Sequence, residues 1–234
     1  MTPKPNTRTK PRTPLSRERV LEAAISLADE GGIESLSMRK LARALGVEAM
    51  SLYNHVANKG DLVDAITDLV VSEIELPQVT EEWDVAVRAC AISAYETFMR
   101  HPWACSLVMS PTRTRAVPAQ RVRYIEWLLR CLREAGFSPE LAYHGYHALD
   151  SHILGFTLWH LGHTAGAKDL AGEQDFAEFA TGLVEELRAE GYPYLAEHAE
   201  QHIAGVEGEG EFEFGLDLIL DGLKRARAAA AGAA

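Results

Sequence analysis

The stretch SMRKLARALGVEAMSLYNHV, Ser37 to Val56, decides the fold. Ser37 stands just before Met38, Leu41, Ala42 and Leu45, which recur at helical spacing and share one face. Gly46 stops that helix and Val47 turns inward. A second short helix is expected from about Ala49 to His55, with Leu52 and Val56 facing the core. Both apolar faces can pack on a preceding helix, and that packing leaves Ser51, Tyr53, Asn54 and His55 free. These are hydrogen-bonding side chains of modest size, unlike the Glu/Lys mixture of a merely solvated face. An α-helix fits the major groove of B-DNA, where each base pair shows its own donor and acceptor pattern. A helix of about seven residues is roughly 10 Å long and touches few base pairs, so specificity calls for a second copy.

The neighbouring sequence supplies the rest of such a head. Ser16 can cap a first helix, with Leu15 stapled onto Val20. Val20, Leu21, Ala24, Ile25 and Ala28 form its stripe, and Gly31-Gly32 ends it. Asn58 and Asp61 look like a capping pair for a fourth helix over 58–76, with Leu62, Ile66, Leu69, Val70 and Ile74 on its apolar face and Pro77 as its terminator. Nearly every later segment also shows helical period, and no stretch alternates like a strand. Helices are expected near 81–100, 103–110, 118–135, 139–163, 173–190, 193–203 and 212–229, separated by breaks such as Pro111, Gly136, Gly166, Gly191 and the GVEGEGE run at 205–211. The fold expected is all-α: a helix-turn-helix domain at 15–60 and a larger helical domain at 61–229. A flexible basic arm at 1–14 and a disordered tail at 230–234 flank them.

Charge divides along the same line. The 234 residues carry a formal net charge of −11, yet residues 1–60 sum to +4 and the remainder to −15. Residues 1–17 hold five cations and no acid, so a polyanion is attracted to the front end and repelled by the rest. The apolar content of 47% and charged content of 24% fit a folded chain and exclude a mainly disordered one. No run approaches the ~18 apolar residues of a membrane helix, and no signal-peptide core follows the basic start, so a cytoplasmic protein is expected. Cys90, Cys105 and Cys131 show no C-x-x-C spacing and read as small core residues in a reducing compartment. Ser37-x-x-Lys40 matches the S-x-x-K pattern of penicillin-binding enzymes, but neither S-D-N nor K-T-G accompanies it. Ser37 is therefore read as a helix cap.

Residues 16–76 resemble the DNA-binding domain of the tetracycline-repressor (TetR) family, most closely along the run from Ser35 to Leu62 and above all in Leu52-Tyr53-x-His55 followed by Asn58-Lys59. His101-Pro102-Trp103, the Gly136-Phe137-Ser138 turn and Phe214-Gly215-Leu216-Asp217 resemble the regulatory domains of many members. The resemblance implies DNA contacts: Tyr53 to phosphate and a thymine methyl, Ser51 to base or phosphate, Lys59 to phosphate at the start of helix four. It also implies Arg39 on phosphate or guanine and His55 near the backbone. Chemistry alone gives Asn54 a bidentate pairing with adenine. The partners implied are double-stranded operator DNA, a second copy of the chain and a small-molecule effector, with no membrane. The last helix would join the helix at 139–163 and their copies in a four-helix bundle through Phe212, Leu216, Ile219, Leu220 and Leu223. A homodimer would set two reading helices about 34–36 Å apart on a pseudo-palindromic operator.

An effector cavity is expected among helices five to eight, walled by Tyr95, Met99, Trp103, Trp127, His147, Ser151 and Leu154. Such aromatic walls with a few polar groups suit a small apolar or aromatic molecule. His144/His147, His160/His163 and His198/His202 have spacings that can hold metal, but no H-E-x-x-H is present, and no metal or cofactor is expected. Two other readings stand beside the ligand-responsive repressor. One is an enzyme using Asp150, His147 or His152 as acid and base, without any nucleophile elbow, P-loop or dinucleotide fingerprint. The other is a DNA-binding module without an effector.

Overall fold

The computed structural model describes residues 14–79, 82–110, 118–169, 173–203 and 210–232, and the side chains of 163–180 and 202–203 are outside that description. The basic arm before Pro14, the break at Pro111 and most of the 205–211 run therefore lie outside the described residues. Eleven α-helices and no strand are found among them: α1 Arg17–Gly31, α2 Met38–Leu45, α3 Ala49–Leu52, α4 Lys59–Val71, α5 Trp83–Arg100, α6 Pro102–Val108, α7 Ala119–Glu134, α8 Pro139–Asp169, α9 Glu173–Ala189, α10 Pro193–Ile203 and α11 Glu211–Gly232. The all-α fold expected from periodicity is the one observed. The helices form two compact units, and the division falls between Ile66 and Thr67, inside α4, rather than at residue 60.

In the first unit α1 packs on α2 and α2 on α3. The core is Val20, Leu21, Ala24, Ala28, Leu36, Leu41, Ala42, Leu52, Val56, Leu62, Val63 and Ile66, all buried. Helix ends are set where the sequence placed them. The Arg19 amide donates to Ser16 Oγ at 3.2 Å, and the Lys40 amide donates to Ser37 Oγ at 3.2 Å. Asn58 and Asp61 both fix the start of α4: the Asp61 amide donates to Asn58 Oδ1 and the Ala57 amide to Asp61 Oδ2, each at 3.0 Å. Gly46 is left-handed, at φ 66 and ψ 36. Its amide donates to Arg43 O at 3.2 Å and that of Val47 to Ala42 O at 3.0 Å, the paired bonds of a Schellman motif.

Several boundaries differ from expectation, for physical reasons. α3 is regular only to Leu52. Tyr53 and Asn54 donate three residues back, to Met50 O and Ser51 O, so the chain tightens into turns through His55. α4 ends at Val71, not near residue 76. There Ser72 Oγ competes for Leu69 O at 2.6 Å, and Ser72, Glu73 and Ile74 each bond three residues back. α8 runs on through Gly166 to Asp169, since one glycine costs a helix only about 1 kcal/mol. α11 continues to Gly232, because alanine is the strongest helix former.

In the second unit α5 contacts α6, α7, α8 and α11, and α8 contacts α5, α6, α7 and α11. Ala142, Gly145, Leu149, Ile153 and Thr157 form the buried row of α8. At Gly145 a Cβ would meet Leu132 Cδ1 at 3.2 Å and Leu223 Cδ2 at 3.3 Å, so the glycine lets α7 and α11 approach. Phe137 is buried edge-on against Trp83 with ring centroids 4.9 Å apart, beneath the Arg227 guanidinium. α9 and α10 pair as a helical hairpin that buries Val184 and Ala196. The α11 residues expected to face a second copy (Phe212, Leu216, Leu220 and Leu223) are instead buried within the protomer's own unit, and Ile219 is half-buried. The outward apolar side chains of this helix are Phe214 and Leu218.

Candidate nucleic-acid interface

The edge formed by α2, α3 and the turn after α3 is built from alternation between burial and exposure. Leu41 and Leu52 anchor α2 and α3, and Val56 anchors the turn. Between these anchors Tyr53 keeps 45% of its surface exposed and Met50 keeps 75%. Asn54 is exposed too, and Ser51 and His55 are half-buried. Arg39, Lys40 and Arg43 project from α2 and Lys59 from the start of α4, all exposed and without an ion-pair partner among the described residues. The six residues singled out from sequence (Arg39, Ser51, Tyr53, Asn54, His55 and Lys59) thus lie on or beside one short segment. Arg43 and Met50 share that exposure and went unselected. For Arg43 the signal was present, since Arg39 and Arg43 are four residues apart and share a helix face.

A second candidate site lies wholly inside the larger unit. A cavity of about 30 Å³ is lined by Val71, Ile74, Phe98, Val108, Ile125 and Leu154, with Arg121, Tyr124, Tyr146 and Asp150 as its polar members. The Tyr146 hydroxyl donates to Asp150 Oδ2 over a long 3.4 Å, and Tyr124 presents its hydroxyl to the same carboxyl. Burial pushes the Asp150 carboxyl above the usual carboxylate range, while the Tyr146 hydroxyl and the Arg121 charge draw it back. Burial and the Asp150 charge push the Tyr146 phenol up to about 12.

Only Leu154, of the seven wall residues expected, lines this cavity. His147 and Ser151 are exposed. Each follows a wall residue, Tyr146 or Asp150, by one position, and one residue turns a helix by about 100°. Tyr95 stacks on Phe212 at 4.4 Å between ring centroids. Trp127 donates its indole N–H to Pro77 O at 2.8 Å and lines an open groove elsewhere. Trp103 is buried and Met99 half-buried, neither on the cavity wall. The signal that finds the wall of this cavity is the i, i+4 row Tyr146, Asp150, Leu154. It was hidden because α8 is apolar on several sides.

His147 lies near enough to Asp150 for its charge to lower that carboxyl's pKa, but neither it nor His152 hydrogen-bonds Asp150 among the described residues. His152 turns to α11, where its Nε2 lies 2.9 Å from Phe212 O, and His147 Nδ1 lies 2.8 Å from Tyr143 O. No cluster of three or more metal-ligating side chains stands among the described residues. His163 and His202 lie outside the described side chains. No helix among the described residues is long and apolar enough to cross a membrane.

Both units have counterparts among known proteins. Residues 20–66 match the model for bacterial regulatory proteins of the tetR family, and residues 76–227 match the tetracycline repressor-like C-terminal domain. A "HTH-type transcriptional regulator" of Saccharopolyspora erythraea is 31% identical over 222 residues, covering 94% of this chain and 89% of that protein. The "HTH-type transcriptional repressor DrrR1" of Streptomyces coeruleorubidus is 34% identical over 221 residues, covering 92% and 79%. The TetR family protein ActR of Streptomyces coelicolor, solved in complex with actinorhodin, superposes with a TM-score of 0.72 at 28% identity, covering 92% of this chain and 99% of that one. With both of its units matched in order, the chain belongs to the tetracycline-repressor family of bacterial transcriptional regulators.

Proposed function

We propose that this regulator is a repressor that binds a pseudo-palindromic operator as a homodimer and leaves it when a small apolar or aromatic effector enters the larger unit. The observation that carries the DNA reading is the exposure of Tyr53 and Asn54 directly over buried Leu52 and Val56, beside the free cations of α2. Tyr53, Ser51, His55, Arg39 and Lys59 position the head on phosphates and nearby base edges, and Asn54 reads adenine. Outward Leu158 and Trp159 on α8, with Phe214 and Leu218 on the adjoining α11, supply apolar surface for the second copy.

Release needs only a difference in effector affinity between two states, typically worth 1–3 kcal/mol. α4 is the connecting element: it begins in the first unit, and Val71 at its end lines the cavity. The decisive experiment titrates the purified chain against the DNA flanking its own gene. Tyr53→Ala is expected to abolish specific binding while sedimentation still shows a dimer. Unchanged affinity overturns the assignment. Wild-type affinity is expected to fall steeply with salt as phosphate contacts release counterions. A DNA-binding module without an effector is the second reading, favoured by one observation: a cavity of about 30 Å³ has room for a few water molecules and no larger guest.

A further inference from the structure

The cavity combines two kinds of wall. Six of its ten residues are apolar, and the four polar ones gather around a single carboxyl. A carboxylate offers about four acceptor positions. Tyr146, at 3.4 Å, and Tyr124 take up two of these, so acceptor capacity remains on a carboxyl that lines the cavity. The Asp150 charge opposes an anionic head group. Arg121, on the same wall, opposes a cationic one. What both tolerate is a neutral donor. Phe98 and Tyr124 add aromatic surface for the body of such a molecule.

We propose that this cavity takes a molecule with a flat apolar body and one neutral phenolic hydroxyl, which donates to Asp150. The proposal rests on the effector reading above and gives it a chemical class. The cavity's 30 Å³ holds no aromatic ring, so the walls part on binding. Val71 and Ile74, at the end of α4 and in the turn after it, are among those walls.

The test uses three probes with one body and different heads: 2-naphthol, 2-naphthoate and 2-naphthylmethylammonium. Each is titrated by calorimetry into the full-length protein at neutral pH, where a phenol is uncharged. Wild type is expected to bind 2-naphthol at least about tenfold more tightly than either charged probe. Asp150→Asn keeps the shape and one carbonyl acceptor but leaves Arg121 unbalanced. Its preference is expected to swing toward 2-naphthoate. Tyr146→Phe frees a position on the carboxyl and is expected to keep or raise the affinity for 2-naphthol, whereas a purely structural role for the pair predicts a loss. Equal affinity for all three heads, or a preference that survives Asp150→Asn, overturns the head-group assignment and leaves the cavity standing as a ligand site. Failure of all three probes to bind any variant overturns the cavity itself.

Discussion

In the first unit, helix ends are fixed by residues close in sequence: Ser16 holds the amide of Arg19, Ser37 that of Lys40 and Asn58 that of Asp61. In the second unit, α7 has no side-chain cap of its own, since Pro118 occupies the position. The amides of Gln120 and Arg121 instead donate to Asp68 Oδ1 at 2.9 and 3.2 Å, across a sequence separation of 52 and 53. Trp127 likewise reaches back 50 residues to Pro77 O. The first unit thus takes its helix ends from bonds of three-residue reach. A unit whose elements borrow caps from each other ties the start of α7 to Asp68, far away in the sequence.

Substitutions can break this contrast in order of size. Leu41→Ala removes a fully buried anchor and is expected to cost about 2–5 kcal/mol. Hydrogen exchange should accelerate across α1 to α3 while α5 and α8 stay protected. Equal loss in both units would show that the head is not held by its own core. Gly46→Ala forces a side chain into the left-handed region and is expected to cost about 1–2 kcal/mol, read as a shift in the urea midpoint. Asp68→Ala is expected to cost about 1 kcal/mol and to expose the first amides of α7 to exchange. Adding Pro118→Asp, a local cap, should restore that stability. If Pro118→Asp does not rescue it, Asp68 is more than a distant cap.

The smallest effect concerns pH. The Asp150 carboxyl is raised from its ordinary value of 3.8, so its contribution favours the folded state most below that value and is lost as pH rises through the higher folded value. Asp150→Asn should therefore gain stability relative to wild type as pH climbs from about 4 toward neutrality. A difference that stays flat across that range would place the carboxyl in ordinary solvent.

The helix-turn-helix was legible because its determinants are neighbours in sequence. A serine before an apolar stripe, a glycine after it and an Asn/Asp pair three residues apart act through bonds of fixed reach. The exposure of Tyr53 followed from its place between Leu52 and Val56. The cavity was not legible in the same way. Tyr146, His147, Asp150 and Ser151 all belong to one helix with apolar residues on several sides, and nothing local says which row meets α7. The same limit explains Phe212, Leu216, Leu220 and Leu223: an apolar stripe of helical period has the same appearance whether its partner is the same chain or another.

The amino-acid order by itself determined the helical class, the bounds of α1 and α2, the caps and the exposed tyrosine, because these depend on interactions within a turn or two of helix. The three-dimensional arrangement alone decided that Asp68 caps α7, that Asp150 and not Ser151 lines the cavity, and that Phe214 and Leu218 face outward on α11. Those outcomes depend on which helices become neighbours and in what rotation, a choice made by the whole packed unit and written in no single segment.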